Sequence, residues 1–294
     1  MKKVFEGTLT ALVTPFKNGA VDEAALRGLV NWQIEAGIDG LVAVGTTGES
    51  PTLSAAEALR VVEIVVSEAR GRVPVVAGTG GNNTAEAVDR TKRAKAAGAD
   101  AVLLVVPYYN KPTQEGLYQH FTHIVNEAEF PAILYNVPGR TAADLLPETV
   151  ARLAENPNVV AIKEATGDMR RASEIRALVG DRLTLLSGDD FTTLPFCAVG
   201  GRGAISVTSN VAPREMAALW DHVSRGEWDD ARSLHDRLLP LHRALFLEAN
   251  PIPVKAGVAA LGRAGDEIRL PLTPVSAGVR EKVVAAMRGL GLLS

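Results

Sequence analysis

The chain has 294 residues, of which 47% are hydrophobic and 22% are charged, and its formal net charge is −3. This composition is typical of a globular protein with a large core. No strongly basic stretch is present, so the charge pattern gives no sign of binding to nucleic acid or to an anionic membrane surface. The single cysteine, Cys197, excludes an intrachain disulfide and favours a reducing, cytoplasmic environment. We expect no signal peptide, because no apolar segment follows Lys2 and Lys3, and no apolar run is long enough to cross a bilayer.

Short apolar runs alternate with amphipathic segments along most of the chain. Several runs are apolar at successive positions, which is typical of parallel strands that are covered on both faces. The predicted strands span residues 8–14, 40–45, 73–78, 101–106, 132–136, 159–163, 183–188 and 203–208. Eight strands with helices between them predict an α/β fold, the (β/α)8 TIM barrel. A dinucleotide-binding sheet is disfavoured because no G-x-G-x-x-G follows the first strand.

Two of the intervening segments carry helix-end signals. In SAAE, Ser54 and Glu57 predict a capping box, in which the serine hydroxyl accepts from the backbone and the glutamate reaches back to it. The segment TAEAVDRTKRAKAAG predicts a helix that is capped by Thr84 and ends at Gly98.

The alternation of strands and helices ends at Pro213, and the pattern that follows is largely helical. We therefore interpret residues 1–212 as the barrel. Residues 213–294 are interpreted as a C-terminal helical extension that packs on the barrel, without a linker that would separate two domains.

Polar groups lie at or just after the ends of several predicted strands, where the catalytic residues of a barrel collect. They are Thr46 and Thr47 at the second strand, Tyr108 and Tyr109 at the fourth, Tyr135, Asn136 and Arg140 at the fifth, and Lys163 and Glu164 at the sixth. None of the five histidines lies at a strand end. His120 and His123 are three residues apart in a helix pattern but have no evident third ligand, so we expect no metal site.

Lys163 allows two interpretations. A lysine that ends a buried strand is either ion-paired, with Glu164 as the obvious candidate, or chemically reactive. Apolar surroundings disfavour the ammonium form, and a neutral amine attacks a carbonyl to give an imine whose adjacent carbon becomes acidic. Such chemistry needs proton-relaying hydroxyls and anchors for carboxylates. Each nearby group also has a plain structural interpretation, for example Tyr135 as a core aromatic and Arg140 as a solvated loop residue.

Five motifs form a recognisable set: GTTGES, PYYNKPTQEGLYQHF, YNVPGRT, AIKEA and GGRGAISVTSN. Together they resemble the dihydrodipicolinate synthase family, within the pyruvate-dependent class I aldolase and lyase superfamily. The resemblance extends from GTLTALVTPF near the start to NPIPVK and RLPLTP near the end. It implies the condensation of pyruvate with L-aspartate 4-semialdehyde, the first committed step toward diaminopimelate and lysine. It also implies a homotetramer, a dimer of tight dimers, with no metal or organic cofactor.

The resemblance assigns catalytic roles to four residues. Lys163 forms the Schiff base with pyruvate, and Tyr135 transfers protons to and from the imine. Thr46 links Tyr135 to Tyr109, which reaches in from a neighbouring subunit.

Four further residues are implied to bind substrate. Thr47, with adjoining backbone N–H groups, holds the pyruvate carboxylate, and Arg140 binds the carboxylate of aspartate semialdehyde. Gly188 and Ile205 line the lysine pocket through their backbones.

The family's lysine-inhibited members have a regulatory pocket at the tight dimer interface. Its residues correspond here to Ser50, Asn82, Glu86 and Tyr108. Two histidines of that pocket are replaced by Ala55 and Ala58. We therefore expect weak or absent feedback inhibition by lysine.

Two other functions remain open from the sequence. Another member of the superfamily, such as N-acetylneuraminate lyase or a sugar-acid aldolase or dehydratase, keeps Lys163 and Tyr135 but needs a longer, hydroxyl-rich acceptor pocket. Arg140 and Thr47 argue against it, because they suit a short acid substrate. A non-catalytic barrel that senses a keto acid or lysine is disfavoured, because a sensor has little need of the full catalytic set.

Overall fold

The computed structural model describes residues 5–294, and its centre is a closed barrel of eight parallel strands. In chain order, the strands of the described residues are β1 (Gly7–Ala11), β2 (Phe16–Lys17), β3 (Ala20–Val21), β4 (Gly40–Ala43), β5 (Val75–Gly78), β6 (Ala101–Val105), β7 (Ala132–Asn136), β8 (Val159–Glu164), β9 (Thr184–Ser187) and β10 (Gly203–Ser206). The barrel order is β1-β10-β9-β8-β7-β6-β5-β4, whereas β2 and β3 form a separate antiparallel pair. Each predicted strand overlaps one barrel strand, so the predicted (β/α)8 barrel is confirmed.

Helices follow the barrel strands and fill the C-terminal part of the chain. They are α1 (Glu23–Glu35), α2 (Ala55–Ala69), α3 (Thr84–Ala96), α4 (Gln114–Ala128), α5 (Pro138–Thr141), α6 (Pro147–Leu153), α7 (Met169–Val179), α8 (Thr193–Ala198), α9 (Pro213–Ser224), α10 (Trp228–Leu245), α11 (Ile252–Ala260) and α12 (Ala277–Gly289). Short 3-10 turns lie at Ser50–Thr52, Asp190–Thr192 and Thr208–Asn210. The helical pattern predicted after Pro213 corresponds to α9–α12, while a domain boundary at residue 212 stays a prediction.

The two predicted helix starts have different outcomes. Ser54 and Glu57 form both hydrogen bonds of the capping box at the start of α2. The prediction that Thr84 caps α3 is wrong. Asn83 is the N-cap, because its backbone is extended and its side chain accepts from the first backbone N–H groups of α3. Gly98 follows the helix at φ +89°, as a terminating glycine does.

Strands β7 and β8 are buried at every position, which explains why both read as continuous apolar runs. Their parallel register pairs Tyr135 with Lys163 and Asn136 with Glu164. Two polar pairs therefore lie side by side at the C-terminal ends of these strands, where barrel enzymes carry their catalytic groups.

The internal contacts of the chain define two compact units. We call residues 5–6 together with Pro74–Ile205 the central unit, and Gly7–Val73 together with Ser206–Ser294 the terminal unit. The central unit contains Lys163 and Tyr135, and the terminal unit contains Thr46 and Thr47.

Residues 5–294 contain no helix that has both the length and the apolar character needed to span a membrane. The expectation that no signal peptide is present concerns in part residues 1–4, which lie outside the described residues.

Candidate active site

Lys163 is buried at the end of β8, with 6% of its surface exposed. Its Nζ lies 4.2 Å from the centre of the Tyr135 ring, where a cation is attracted by the ring face. No ion pair joins Lys163 to Glu164 in the part of the chain that the structure describes. Of the two interpretations of Lys163, the geometry therefore favours a chemically reactive lysine over an ion-paired one.

The carboxylate of Glu164 accepts hydrogen bonds from residues other than Lys163. Asn136 Nδ2 donates to Glu164 Oε2 at 3.1 Å, and the backbone N–H of Thr166 donates to Oε1 at 2.8 Å. Adjacent residues of a strand point to opposite faces, which separates the Glu164 carboxyl from the Lys163 amine. Burial raises the pKa of Glu164, and the hydrogen bonds from Asn136 and Thr166 oppose that rise.

A partly buried polar network holds the segment that carries Arg140. The side chain of Asn136 donates to Asp144 Oδ1 at 2.9 Å and accepts from the backbone N–H of Leu145 at 3.0 Å. Arg171 donates to the second carboxylate oxygen of Asp144 at 2.5 Å. The segment between β7 and α6 is thereby closed by side-chain contacts at its two ends. Arg140 is exposed on α5 within it.

The roles of Asp144 and Arg171 were missed in the sequence, and Asn136 was noted only as a strand-end residue. Asn136 is completely buried although it belongs to an apolar run. A polar side chain inside such a run is a signal for a buried network, because burying an amide without hydrogen bonds is costly. Its partners are not signalled by the sequence, since they depend on how the following segment folds back.

Gly188 follows β9 and packs its backbone against Lys163. A Cβ at this position would lie 2.6 Å from Ala165 Cβ and 3.0 Å from Lys163 Cε. The backbone N–H of Gly188 also donates to the carbonyl of Glu164 at 2.7 Å, which fixes its position. Only glycine therefore fits beside the lysine stem without displacing it.

We expect Gly188→Ala to lower kcat/KM at least tenfold and to destabilise the fold by about 1–3 kcal/mol, because the added methyl overpacks the site. Gly278→Ala in α12 is the matched control, since a Cβ there meets nothing within 4 Å. Steady-state kinetics and denaturant unfolding of both variants check this. Wild-type kinetics for Gly188→Ala would contradict the tight packing of Lys163.

The remaining predicted residues of the central unit lie in different settings. Ile205 is buried on β10. Tyr109 is 90% exposed and has φ +74°, an uncommon backbone conformation for a bulky residue. Tyr108 is less exposed, and its carbonyl accepts from Asn82 Nδ2 at 3.3 Å. Glu86 is exposed and forms an ion pair with Arg90 at 2.7 Å.

In the terminal unit, Thr46 and Thr47 belong to the turn of residues 45–50, which follows β4. Within this turn, the backbone N–H of Gly48 donates to the Gly45 carbonyl and that of Glu49 to the Thr46 carbonyl, each at 3.1 Å. Thr46 is half-buried, whereas Thr47 is buried. Ser50 begins the 3-10 turn directly after them, and Ala55 and Ala58 lie in the first turn of α2.

The histidines occupy helices rather than strand ends, as predicted. His120 is buried, its Nδ1 lies 2.8 Å from Thr84 Oγ1, and burial together with the nearby His123 lowers its pKa to about 4. Within residues 5–294, one histidine–carboxylate group is close enough to hold a metal ion: His222, Glu227 and Asp230. Its Glu227 is already paired with Arg225.

Comparison with known proteins finds similarity to one family. Residues 4–289 match the Dihydrodipicolinate synthetase family. The chain belongs to this family. Among the relatives, the 4-hydroxy-tetrahydrodipicolinate synthase of Geotalea uraniireducens is 55% identical over 290 residues, which are 99% of this chain and 100% of the relative. The resemblance seen in the sequence motifs is confirmed.

Solved structures of dihydrodipicolinate synthases share the fold. The crystal structure of the enzyme from Aquifex aeolicus superposes with a TM-score of 0.96 at 46% identity, covering 98% of this chain and 99% of the other. A dihydrodipicolinate synthase variant described as the first monomeric one gives a TM-score of 0.97 at 43% identity, with 98% of each chain covered.

Proposed function

We propose that this family member is a 4-hydroxy-tetrahydrodipicolinate synthase, which condenses pyruvate with L-aspartate 4-semialdehyde through a Schiff base on Lys163. The activity predicted from the sequence is the one that its relatives carry by name. The observation that carries the assignment of residues is the buried Lys163 side chain, which lies against the Tyr135 ring and the Gly188 backbone. This setting places the amine beside the ring that carries the Tyr135 hydroxyl, which supports nucleophilic attack on a carbonyl with a proton carrier at hand.

The first half of the reaction activates pyruvate. The neutral Lys163 amine attacks the keto carbon, and loss of one water gives the imine. The Tyr135 hydroxyl serves as the proton carrier, first for the departing water and then for the methyl carbon, which loses a proton to give the enamine. The register that places Tyr135 beside Lys163 supports this role.

The second half forms the carbon–carbon bond. The enamine carbon attacks the aldehyde carbon of aspartate semialdehyde, and the resulting alkoxide takes a proton to become the hydroxyl. The amino group of the same substrate then attacks the imine carbon and displaces Lys163, which closes the ring. The net products are the cyclic hydroxy acid and one water, and the free lysine is regenerated.

Substrate carboxylates are assigned to two groups. Thr47 and the adjoining backbone N–H groups of the 45–50 turn hold the pyruvate carboxylate. Arg140 binds the carboxylate of the semialdehyde, because a guanidinium can donate two parallel hydrogen bonds to a carboxylate. Ile205 lines the lysine pocket, and Thr46 with Tyr109 completes the hydroxyl relay from Tyr135.

We assign Tyr109 to the site of a neighbouring copy in a homotetramer, a dimer of tight dimers. Its 90% exposure and left-handed backbone support this, because an unusual conformation at a protruding aromatic is common at functional contacts. One structural relative is described as a monomeric variant. Sedimentation velocity of the purified protein measures the oligomeric state of this chain. The free thiol of Cys197 fits the cytoplasmic location that we propose.

We expect L-lysine to leave the activity nearly unchanged at millimolar concentration. Ala55 and Ala58 cannot donate hydrogen bonds to an amino acid as two histidines do, and Glu86 is already paired with Arg90. A titration of L-lysine against initial rates checks this, with the double variant Ala55→His/Ala58→His as the comparison. Strong inhibition of the wild type at millimolar or lower lysine would contradict the expectation.

The rival activities predict different acceptors. A sugar-acid aldolase or N-acetylneuraminate lyase turns over longer, hydroxylated aldehydes, and a sensor turns over none. An acceptor panel with pyruvate as the common donor separates these cases, and we expect aspartate semialdehyde to give the highest kcat/KM.

Borohydride reduction in the presence of pyruvate, followed by peptide mass spectrometry, tests the proposed function directly. We expect a reduced pyruvyl adduct on Lys163. Lys255 is an internal control, because it is also buried but is held by an ion pair. No adduct on the folded protein, or an adduct on another lysine, would overturn the assignment.

A further inference from the structure

The terminal unit contains a second buried lysine, and it is bonded to the 45–50 turn. Lys255 Nζ lies 2.6 Å from Glu49 Oε1, and the exposed fractions of the two side chains are 2% and 0%. The two residues are 206 positions apart in the chain. An ion pair this deep is unlike the surface pairs that cover the helices, since neither charge has access to water.

The surroundings of Lys255 hold its amine in one place. Nζ also donates to the carbonyl of Thr14 at 3.0 Å and lies 4.3 Å from the centre of the Phe16 ring. Burial lowers the pKa of Lys255, and the hydrogen bond and charge of Glu49 oppose this. The amine therefore has fixed partners on several sides.

Glu49 is held at both carboxylate oxygens. Oε1 accepts from Lys255, and Oε2 accepts from the backbone N–H of Arg269 at 3.1 Å. Its backbone has φ +55°, in the left-handed region that residues other than glycine seldom occupy. Such a conformation persists only where the surrounding contacts impose it, and here they come from the C-terminal part of the terminal unit.

The two residues before Glu49 are fixed as well. Asn250 Nδ2 donates to Thr47 Oγ1 at 2.9 Å, and Thr14 Oγ1 donates to the Gly48 carbonyl at 2.8 Å. Three consecutive residues of the turn are thus each held by a buried side chain from elsewhere in the unit. The hydroxyl of Thr47 is oriented by Asn250, which belongs to the same NPIPVK motif as Lys255.

We propose that Glu49 and Lys255 are positioning residues, whose buried ion pair fixes the 45–50 turn in the conformation that binds the pyruvate carboxylate. The inference rests on the proposed function, in which Thr47 and its neighbours hold that carboxylate. A buried ion pair is often replaceable by uncharged residues without loss of stability. Here the pair acts on the turn directly, because Glu49 is one of the residues of the turn.

The test compares Glu49→Gln, Lys255→Met and the double variant. We expect all three to raise KM for pyruvate at least tenfold and to leave KM for aspartate semialdehyde within about twofold. Each single variant leaves one unpaired buried charge and is less stable, whereas the double variant leaves none and recovers the melting temperature but not KM. Glu49→Asp keeps the charge and shortens the reach, so we expect a KM for pyruvate raised at least threefold with nearly unchanged stability.

Glu23→Gln is the matched control, because it breaks an exposed ion pair with Arg60 in the same unit and should leave both KM values unchanged. The pyruvate concentration that half-saturates borohydride trapping is measured for every variant. If Glu49→Asp and the double variant are trapped on Lys163 with the half-saturating pyruvate concentration of the wild type, the positioning role is overturned and the proposed function is not. Absence of trapping in the wild type would instead overturn the proposed function.

Discussion

Lys163→Arg is expected to lose at least about 10³-fold in kcat/KM, because a guanidinium stays protonated and cannot form an imine. A guanidinium also packs against an aromatic ring, so the contact with Tyr135 is kept and the loss reports on nucleophilic chemistry. Lys163→Met has no nitrogen at this position and should be equally inactive. Neither variant should be trapped by pyruvate and borohydride.

Rates and trapping are measured together, and circular dichroism checks that the variants fold. Lys92→Arg is the matched control, since Lys92 forms an exposed ion pair that arginine also makes. Residual kcat/KM above about one tenth of the wild type in Lys163→Arg would show that the reaction does not pass through this lysine.

Tyr135→Phe should lower kcat by about 10²- to 10⁴-fold, the range in which a positioned proton carrier contributes. The ring that packs against Lys163 remains, so folding should be retained. The imine with pyruvate should still form, more slowly, and still be trapped on Lys163. The variant thus separates proton transfer from nucleophilic attack.

Tyr118→Phe is the corresponding control. Tyr118 lies in α4 with the guanidinium of Arg152 4.0 Å from its ring centre, a contact that phenylalanine preserves. We expect unchanged kinetics for it. If kcat of Tyr135→Phe stays within tenfold of the wild type, the proton carrier is another group.

The barrel was predictable because parallel strands covered on both faces give continuous apolar runs, as in β7 and β8. The N-cap of α3 was not, because Asn83 and Thr84 are both good capping residues and only the backbone conformation separates them. The strand alternation was enough to place Lys163 and Glu164 on opposite faces. The catalytic and binding roles of the site residues stay predictions for the experiments above.

The partners of buried and half-buried polar groups could not be predicted from the sequence. Asp144 and Arg171 are 27 residues apart, and Glu49 and Lys255 are 206 apart. Such pairs depend on how distant segments fold back on each other, which neither periodicity nor local propensity encodes. The motif NPIPVK marked the place of Lys255 without indicating its partner.

The terminal unit is built from two segments, one on either side of residues 74–205, which determines the order in which a growing polypeptide can complete it. Thr47 and Glu49 are synthesised before residues 74–205, whereas Asn250 and Lys255 are synthesised after them. Residues 74–205 are available to form their own contacts before that point. The turn assigned to the pyruvate carboxylate is therefore fixed only after residues 74–205 have been made, and a chain that stops before Asn250 carries Lys163 together with a turn that lacks the contacts of Asn250 and Lys255.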